Sequence, residues 1–241
     1  MKVLVVSHNS MSCTSNMGKT LRSYFAGCRQ DETAQFYIHS EVPTDKDVCL
    51  NYYRFTDQDA IRSLNPFCTC GRIFTSADIR PELTTARTDS GLLGKVYQMG
   101  EKRTAFIYAA RNLLWKLSRW DTPRLWKWVD DFSPDVIFFA SGDYGFLYDI
   151  ARKIAEHVNK PLVVSCVDDY YLHNRNADSL LGRLQHQLFL KKVHKTMARA
   201  ARIFTICESL KGAYDALLKK PCSVLYTAAS AEMQTADTAG S

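Results

Sequence analysis

The sequence predicts an α/β fold: a mostly parallel sheet with helices on both faces. Short runs of valine, isoleucine, leucine and phenylalanine recur as VLVV (3–6), DVIFFAS (135–141), PLVVSCV (161–167) and RIFTIC (202–207). These runs are continuously apolar rather than alternating, as strands are when helices cover both sides. In the second half of the chain each run leads into a segment with helical spacing, and strand–helix alternation builds parallel sheets.

The elements follow in order. VLVV reads as a buried strand. MGKTLRSYFAGC reads as a helix with Leu21, Tyr24, Phe25 and Cys28 on one face. AQFYIHS (34–40) and VCLNYYRFTD (48–57) read as strands joined by the turn EVPTDKD, and DQDAIRSL as a short helix. Residues 60–130 read as an irregular and partly helical insertion, with Pro66, Gly71, Pro81, Gly91 and Gly94 in its first half and helical periodicity over 98–118 and 123–132. GFLYDIARKIAEHVN is amphipathic, with Leu147, Ile150, Ala151, Ile154 and Val158 in register. Residues 178–200 form a long basic helix, ESLKGAYDALLKK another helix, and CSVLYT (222–227) the last strand. One domain over 1–228 results, and the small, polar residues 229–241 read as a disordered tail.

With 46% hydrophobic residues among 241, the chain can fill a full core. No run reaches the roughly 18 apolar residues of a membrane span, and the apolar part of MKVLVVSHNS is too short for a signal peptide. The eight cysteines contain no C-x-x-C pair and mostly fall in apolar runs, so they read as buried thiols in a cytoplasmic protein. Six histidines form no ligand-spaced cluster, and no metal is expected. The net charge of +6 is unevenly placed. Nine Lys/Arg lie between Arg87 and Lys127, beside Trp115, Trp120, Trp126 and Trp128, and no acid lies between Ser179 and Cys207. Basic helices suit an anionic surface: membrane phospholipid, nucleic acid or a phosphorylated substrate. With the tryptophans beside them, a peripheral contact with the inner face of a membrane is the expectation. No nucleic-acid partner is expected.

The stretch SNMGKT (15–20) raises the question of phosphate binding, since a loop before a helix N-terminus presents free N–H groups. Gly18, Lys19 and Thr20 fit the second half of a Walker A loop, but its first glycine is replaced by Cys13. Asp168 and Asp169, at the end of LVVSCVDD, can be read as a Walker B partner. A P-loop ATPase or kinase is therefore one alternative, and a non-catalytic membrane-associated binding module another. In open α/β sheets ligands bind beyond the C-terminal strand ends, where strand order reverses. Polar groups gather at four such ends: His8, Ser15, Asn16, Gly18 and Lys19; Gly142, Asp143 and Tyr144; Asp168, Asp169, Tyr170 and Tyr171; and Glu208. Asp143 and Glu208 also suit helix N-termini. Two adjacent carboxylates exceed what one cap needs, which marks Asp168 and Asp169 as candidates to line a ligand site.

The series FSPDVIFFASGDYGFLYDIARKIA, PLVVSCVDDYYL and ARIFTICESLKGAY, with MKVLVVSHNS, SNMGKTL and CSVLYT, resembles the N-terminal half of a bacterial glycosyltransferase of the GT-B architecture, in particular family 4. The resemblance spans most of residues 1–230 but finds no motif in 60–130. It implies a Rossmann-like domain that binds a glycan or lipid-linked acceptor in cell-surface polysaccharide or glycolipid synthesis. A nucleotide-sugar would be co-substrate rather than cofactor. By the resemblance, Ser15, Asn16, Gly18 and Lys19 face the donor diphosphate or acceptor; Asp143, Tyr144, Tyr170 and Glu208 are expected to bind substrate from their strand-end positions. Asp168 and Asp169 would be catalytic. Asp168 stands where many relatives carry a histidine, and Glu208 stands at a usually serine-rich helix start. Two complete Rossmann-type domains need roughly 350 residues, so a donor domain with its Glu-x7-Glu signature is expected outside this chain, which alone would not transfer sugar.

Overall fold

A computed structural model describes residues 1–12, 16–79, 105–173 and 177–226. The tail at 229–241 and the middle of the 60–130 insertion lie outside the described residues. Along the chain run β1 (Val3–Ser7), α1 (Asn16–Tyr24), β2 (Thr33–Tyr37), β3 (Asn51–Arg54), α2 (Asp57–Arg62), β4 (Arg72–Phe74), α3 (Ala105–Leu117) and α4 (Pro123–Phe132). They continue with β5 (Val136–Ser141), α5 (Gly145–His157), β6 (Leu162–Cys166), α6 (Leu180–Arg199), β7 (Arg202–Thr205), α7 (Glu208–Leu218) and β8 (Ser223–Val224).

The eight strands form one sheet in the order β4-β3-β2-β1-β5-β6-β7-β8. Every pairing is parallel except β3 with β4. The chain steps one way from β1 to β4, crosses back to β5 beside β1, and then steps the other way. Right-handed crossovers therefore put α1 on one face and α5, α6 and α7 on the other. Strand alternation shows the two cores this creates. Leu4, Val6, Ile137, Phe139, Leu162, Val164 and Ile203 point into the larger one, with Leu125, Ile150, Met197 and Tyr214. Val3, Val5, Phe138 and Ala140 point into the smaller one, with Met11, Leu21 and Phe25. Helices cover both faces as expected, but unequally, since α1 is the one described helix over the smaller core.

Three local expectations are corrected. The strand expected over 48–57 is only Asn51–Arg54. Val48 and Cys49 are buried before it as loop residues in the smaller core, and Thr56 after it caps α2 with a reciprocal capping box to Asp59. The short β4 was not foreseen: it is an antiparallel edge strand inside what reads as irregular sequence. The tryptophans are core residues rather than an interfacial belt. Trp115 and Trp128 are buried, and Trp120 and Trp126 pack half-buried on the same core. Trp115 stacks on Phe146 at 4.4 Å, Trp126 stacks on His157 at 4.4 Å, and Trp128 Nε1 donates to Asn51 Oδ1 at 2.6 Å.

Gly71, leading into β4, has φ +82°, and a Cβ there would meet Tyr53 Oη at 2.5 Å and Cε1 at 2.8 Å. Both the left-handed backbone and the approach of Tyr53 require glycine. Gly71→Ala is expected to lower unfolding free energy by about 2 kcal/mol or more, read as a shifted midpoint in urea denaturation.

Candidate functional site

The point of strand reversal lies between β1 and β5, and the chain leaving both strands builds a polar cluster there. His8 follows β1. Its carbonyl accepts the N–H groups of Ile38 and His39 at 3.2 and 2.9 Å, which ties the loop after β1 to the loop after β2. His8 Nδ1 lies 3.0 Å from Asn9 Oδ1. From β5 come Asp143 and Tyr144. The Tyr144 ring stacks on the His8 imidazole at 5.0 Å with 19° between planes. Helix α3 adds the remaining groups. Tyr108 donates its hydroxyl to Asp143 Oδ2 at 2.5 Å, and the Arg111 guanidinium lies 4.0 Å from the centre of the Tyr144 ring.

Arg111 is itself anchored. Its Nε pairs with Asp57 Oδ1 at 3.0 Å, and both side chains are nearly buried. The same oxygen accepts Trp115 Nε1 at 2.6 Å. A cation fixed beside a half-buried imidazole has an electrostatic consequence. Burial first, and then the Arg111 charge, push His8 from 6.5 down to about 4. His8 is therefore neutral at pH 7. With its Nδ1–H given to Asn9, its Nε2 keeps a lone pair with no hydrogen-bond partner among the described residues. Glu41, lying 3.6 Å from His39 Nδ1, accepts the Ser10 N–H at 2.6 Å. Burial works to raise its carboxyl, yet His39 and Ser10 hold it below the usual value.

The second group of candidates sits one strand away, at the end of β6. Asp168 turns back on its own loop, its Oδ1 accepting the Asp169 N–H at 2.9 Å. Asp169 Oδ2 faces His173 Nδ1 at 3.0 Å, with both side chains largely exposed. The adjacent carboxylates thus avoid mutual repulsion by taking separate partners. Tyr170 is half-buried here, while Tyr171 turns inward. Below them the Tyr214 hydroxyl donates to the Asp168 carbonyl.

The remaining sequence candidates are more dispersed. Gly18 and Lys19 lie inside α1, Gly18 buried and Lys19 exposed. Asn16 opens α1. Ser15 and Cys13 lie outside the described residues. β6, which carries the carboxylates read as a Walker B partner, is separated from β1 by β5. Glu208 is exposed in the first turn of α7, where its charge complements the helix dipole. Among the described residues no three His, Cys, Asp or Glu side chains stand together as a metal site. No described helix is long and apolar enough to cross a membrane.

Sequence reading singled out Asp143 and Tyr144 and noted His8, but missed Arg111, Tyr108, Asp57 and His39. Arg111 looked like one solvated charge in a basic stretch, and its partner lies 54 residues away. The sequence matches no protein-family model and no curated protein.

Two outcomes follow for this cluster. Asp57→Ala removes from the core the carboxylate oxygen that meets Arg111 Nε and Trp115 Nε1, and is expected to cost about 3–5 kcal/mol in denaturant unfolding. Between pH 6.5 and about 4 the unfolded chain binds a proton at His8 that the folded chain does not. Folded stability therefore falls as pH drops through that window. In parallel melts across that window, His8→Gln is expected to remove about 2 kcal/mol of the fall, after allowance for the water His8 still meets.

Proposed function

We propose that this chain is the acceptor-side domain of a glycosyltransferase with two Rossmann-like domains, taking a glycan or lipid-linked acceptor in cell-surface polysaccharide or glycolipid synthesis. The reading rests on the resemblance of the strand–helix series together with one observation: neutral His8 at the strand reversal, stacked on Tyr144. When an acceptor hydroxyl attacks the anomeric carbon of a nucleotide-sugar, an oxygen–carbon bond forms and the bond to the diphosphate breaks. The hydroxyl proton must go to a base. His8 Nε2 is in base form at pH 7, and its low pKa means it takes the proton only as the attacking oxygen becomes acidic in the transition state.

The other groups then have distinct parts. The Tyr144 ring, in contact with both the His8 imidazole and the Arg111 guanidinium, holds the two in place beside the carbohydrate. Asp143 and Tyr108 hold each other, so either can bond a sugar hydroxyl without reorganising. Asp168 and Asp169, with His173, lie one strand further along the rim and suit the far end of a glycan. In this reading Asp168 and Asp169 bind acceptor hydroxyls, and the proton goes to His8. Tyr170 and Glu208 extend the same rim. Lys19, exposed near the start of α1, faces the donor diphosphate held by a second domain, and the rest of the SNMGKT stretch is assigned to that diphosphate by the resemblance alone.

Chemical-shift mapping on the labelled chain tests the reading. Mono- and disaccharide acceptors and their polyprenyl-phosphate conjugates are expected to move resonances of His8, Tyr144 and Asp169, and Tyr144→Ala to abolish the shifts. Absence of shifts with every glycan overturns it. So does MgATP binding centred on Gly18 and Lys19 with phosphate release, which is the outcome a nucleotide hydrolase gives.

A further inference from the structure

Two neighbouring helices carry apolar side chains on their solvent side. On α6, Leu180, Leu184 and Leu188 recur every fourth residue and are 83%, 55% and 50% exposed. On α3, Phe106, Leu113 and Leu117 are 71%, 56% and 59% exposed. The exposed Ala110 completes that row, at spacings of four, three and four. The helices pack against each other, and Asn112 of α3 and Phe189 and Lys192 of α6 all approach Gly145. A soluble surface scatters single apolar groups; two aligned rows on adjacent helices mark a surface built to be covered.

Charge identifies the cover. Neither helix contains an acidic residue, and the nearest acid in sequence is Asp178, just before α6. The leucine row of α6 continues in the same register as Lys191 and Lys195, both exposed, and Lys116 flanks Leu117 on α3. Two other cations of α6 already have acidic partners: Lys192 pairs with Asp149 at 2.7 Å and Arg199 with Glu156 at 3.5 Å. What remains outward is leucine and phenylalanine with lysine at the margin. That combination matches the boundary between acyl chains and anionic headgroups, where the aliphatic stem of lysine lies along the apolar layer and its ammonium reaches the phosphate. We propose that the outer faces of α3 and α6 together dock this protein on an anionic lipid surface. The docking face is not the tryptophan-bearing α4, and it stands whether or not the chain acts on a sugar.

Vesicle co-sedimentation of the full chain decides it. Binding to phosphatidylcholine vesicles containing phosphatidylglycerol is expected at low salt, weakening as salt rises, with little binding to phosphatidylcholine alone. The double variant Leu184→Ser, Leu188→Ser is expected to lose binding while keeping the wild-type far-UV circular dichroism and melting temperature, since both side chains lie outside the core. Lys191→Gln with Lys195→Gln is expected to weaken binding to the anionic vesicles about 30-fold. No binding at low salt overturns the proposal, as does binding unchanged by the leucine pair. Concentration-dependent self-association that the leucine pair abolishes, without vesicle binding, also overturns it, because the face is then a contact between copies.

Discussion

A carboxylate removed from water must be met by donors, and Asp57 is met by two from a helix remote in sequence. Its Oδ1 takes Arg111 Nε at 3.0 Å and Trp115 Nε1 at 2.6 Å. Those residues lie four apart on α3, so a single oxygen fixes the rotation of that helix about its axis. Asp57 is itself in the first turn of α2, which Thr56 caps. The ion pair is not in itself a large source of stability, since both groups lose hydration to form it. Its effect is on specificity. Any other phase of α3 takes Arg111 Nε and the Trp115 indole N–H away from that oxygen. With the phase set, Arg111 reaches Tyr144, Tyr144 meets His8, and the point of strand reversal acquires a cation-shaded imidazole.

Beneath the ends of β5 and β6 a second polar group has the same logic without net charge. Tyr148 donates to the Gly142 carbonyl at 2.9 Å, Ser141 Oγ donates to the Ser165 carbonyl at 3.0 Å, and the Tyr171 hydroxyl sits 2.5 Å from Ser141 Oγ. Burial pushes the Tyr148 and Tyr171 phenols well above their ordinary values, so they remain protonated donors. Tyr148, Ser141 and Tyr214 bind backbone carbonyls near where strands end and rim loops begin, and the Tyr171 hydroxyl joins Ser141 to Tyr148. The positions of Asp143 and Asp168 are thus set from below through the main chain. The Asp143 carboxylate then meets Tyr108 of α3, while that of Asp168 accepts the next N–H of its own loop.

The sheet was legible wherever burial on both sides made strands continuously apolar. VLVV, DVIFFAS, PLVVSCV and RIFTIC each became a strand, and the alternation after residue 135 gave the parallel order. Where burial is one-sided or pairing runs to an edge, the pattern failed. β4 is three residues long, and its Arg72 and Phe74 are held by a cation–π contact at 4.5 Å and by antiparallel pairing to β3. Neither leaves a periodic trace. The tryptophans show the same limit in another form. Composition placed them beside lysines and arginines, but only packing on α5 and β3 decides that they turn inward. The rim was found because strand ends are visible in sequence. Arg111 and Tyr108 were not, because nothing local distinguishes a helix residue that turns toward a site from one that turns toward water.

α3 joins the two functional readings through its geometry. Tyr108, Arg111 and Trp115 form one row at spacings of three and four, and Phe106, Ala110, Leu113 and Leu117 form another. The rows start two residues apart, which is about 200° of rotation at 3.6 residues per turn. One therefore faces the sheet and the other solvent. Asp57 holds Arg111 and Trp115 of the inner row at one oxygen, which sets the rotation of the helix about its axis. The apolar row and the row that carries Tyr108 and Arg111 toward the rim therefore stand in a fixed relation, on opposite sides of a single helix.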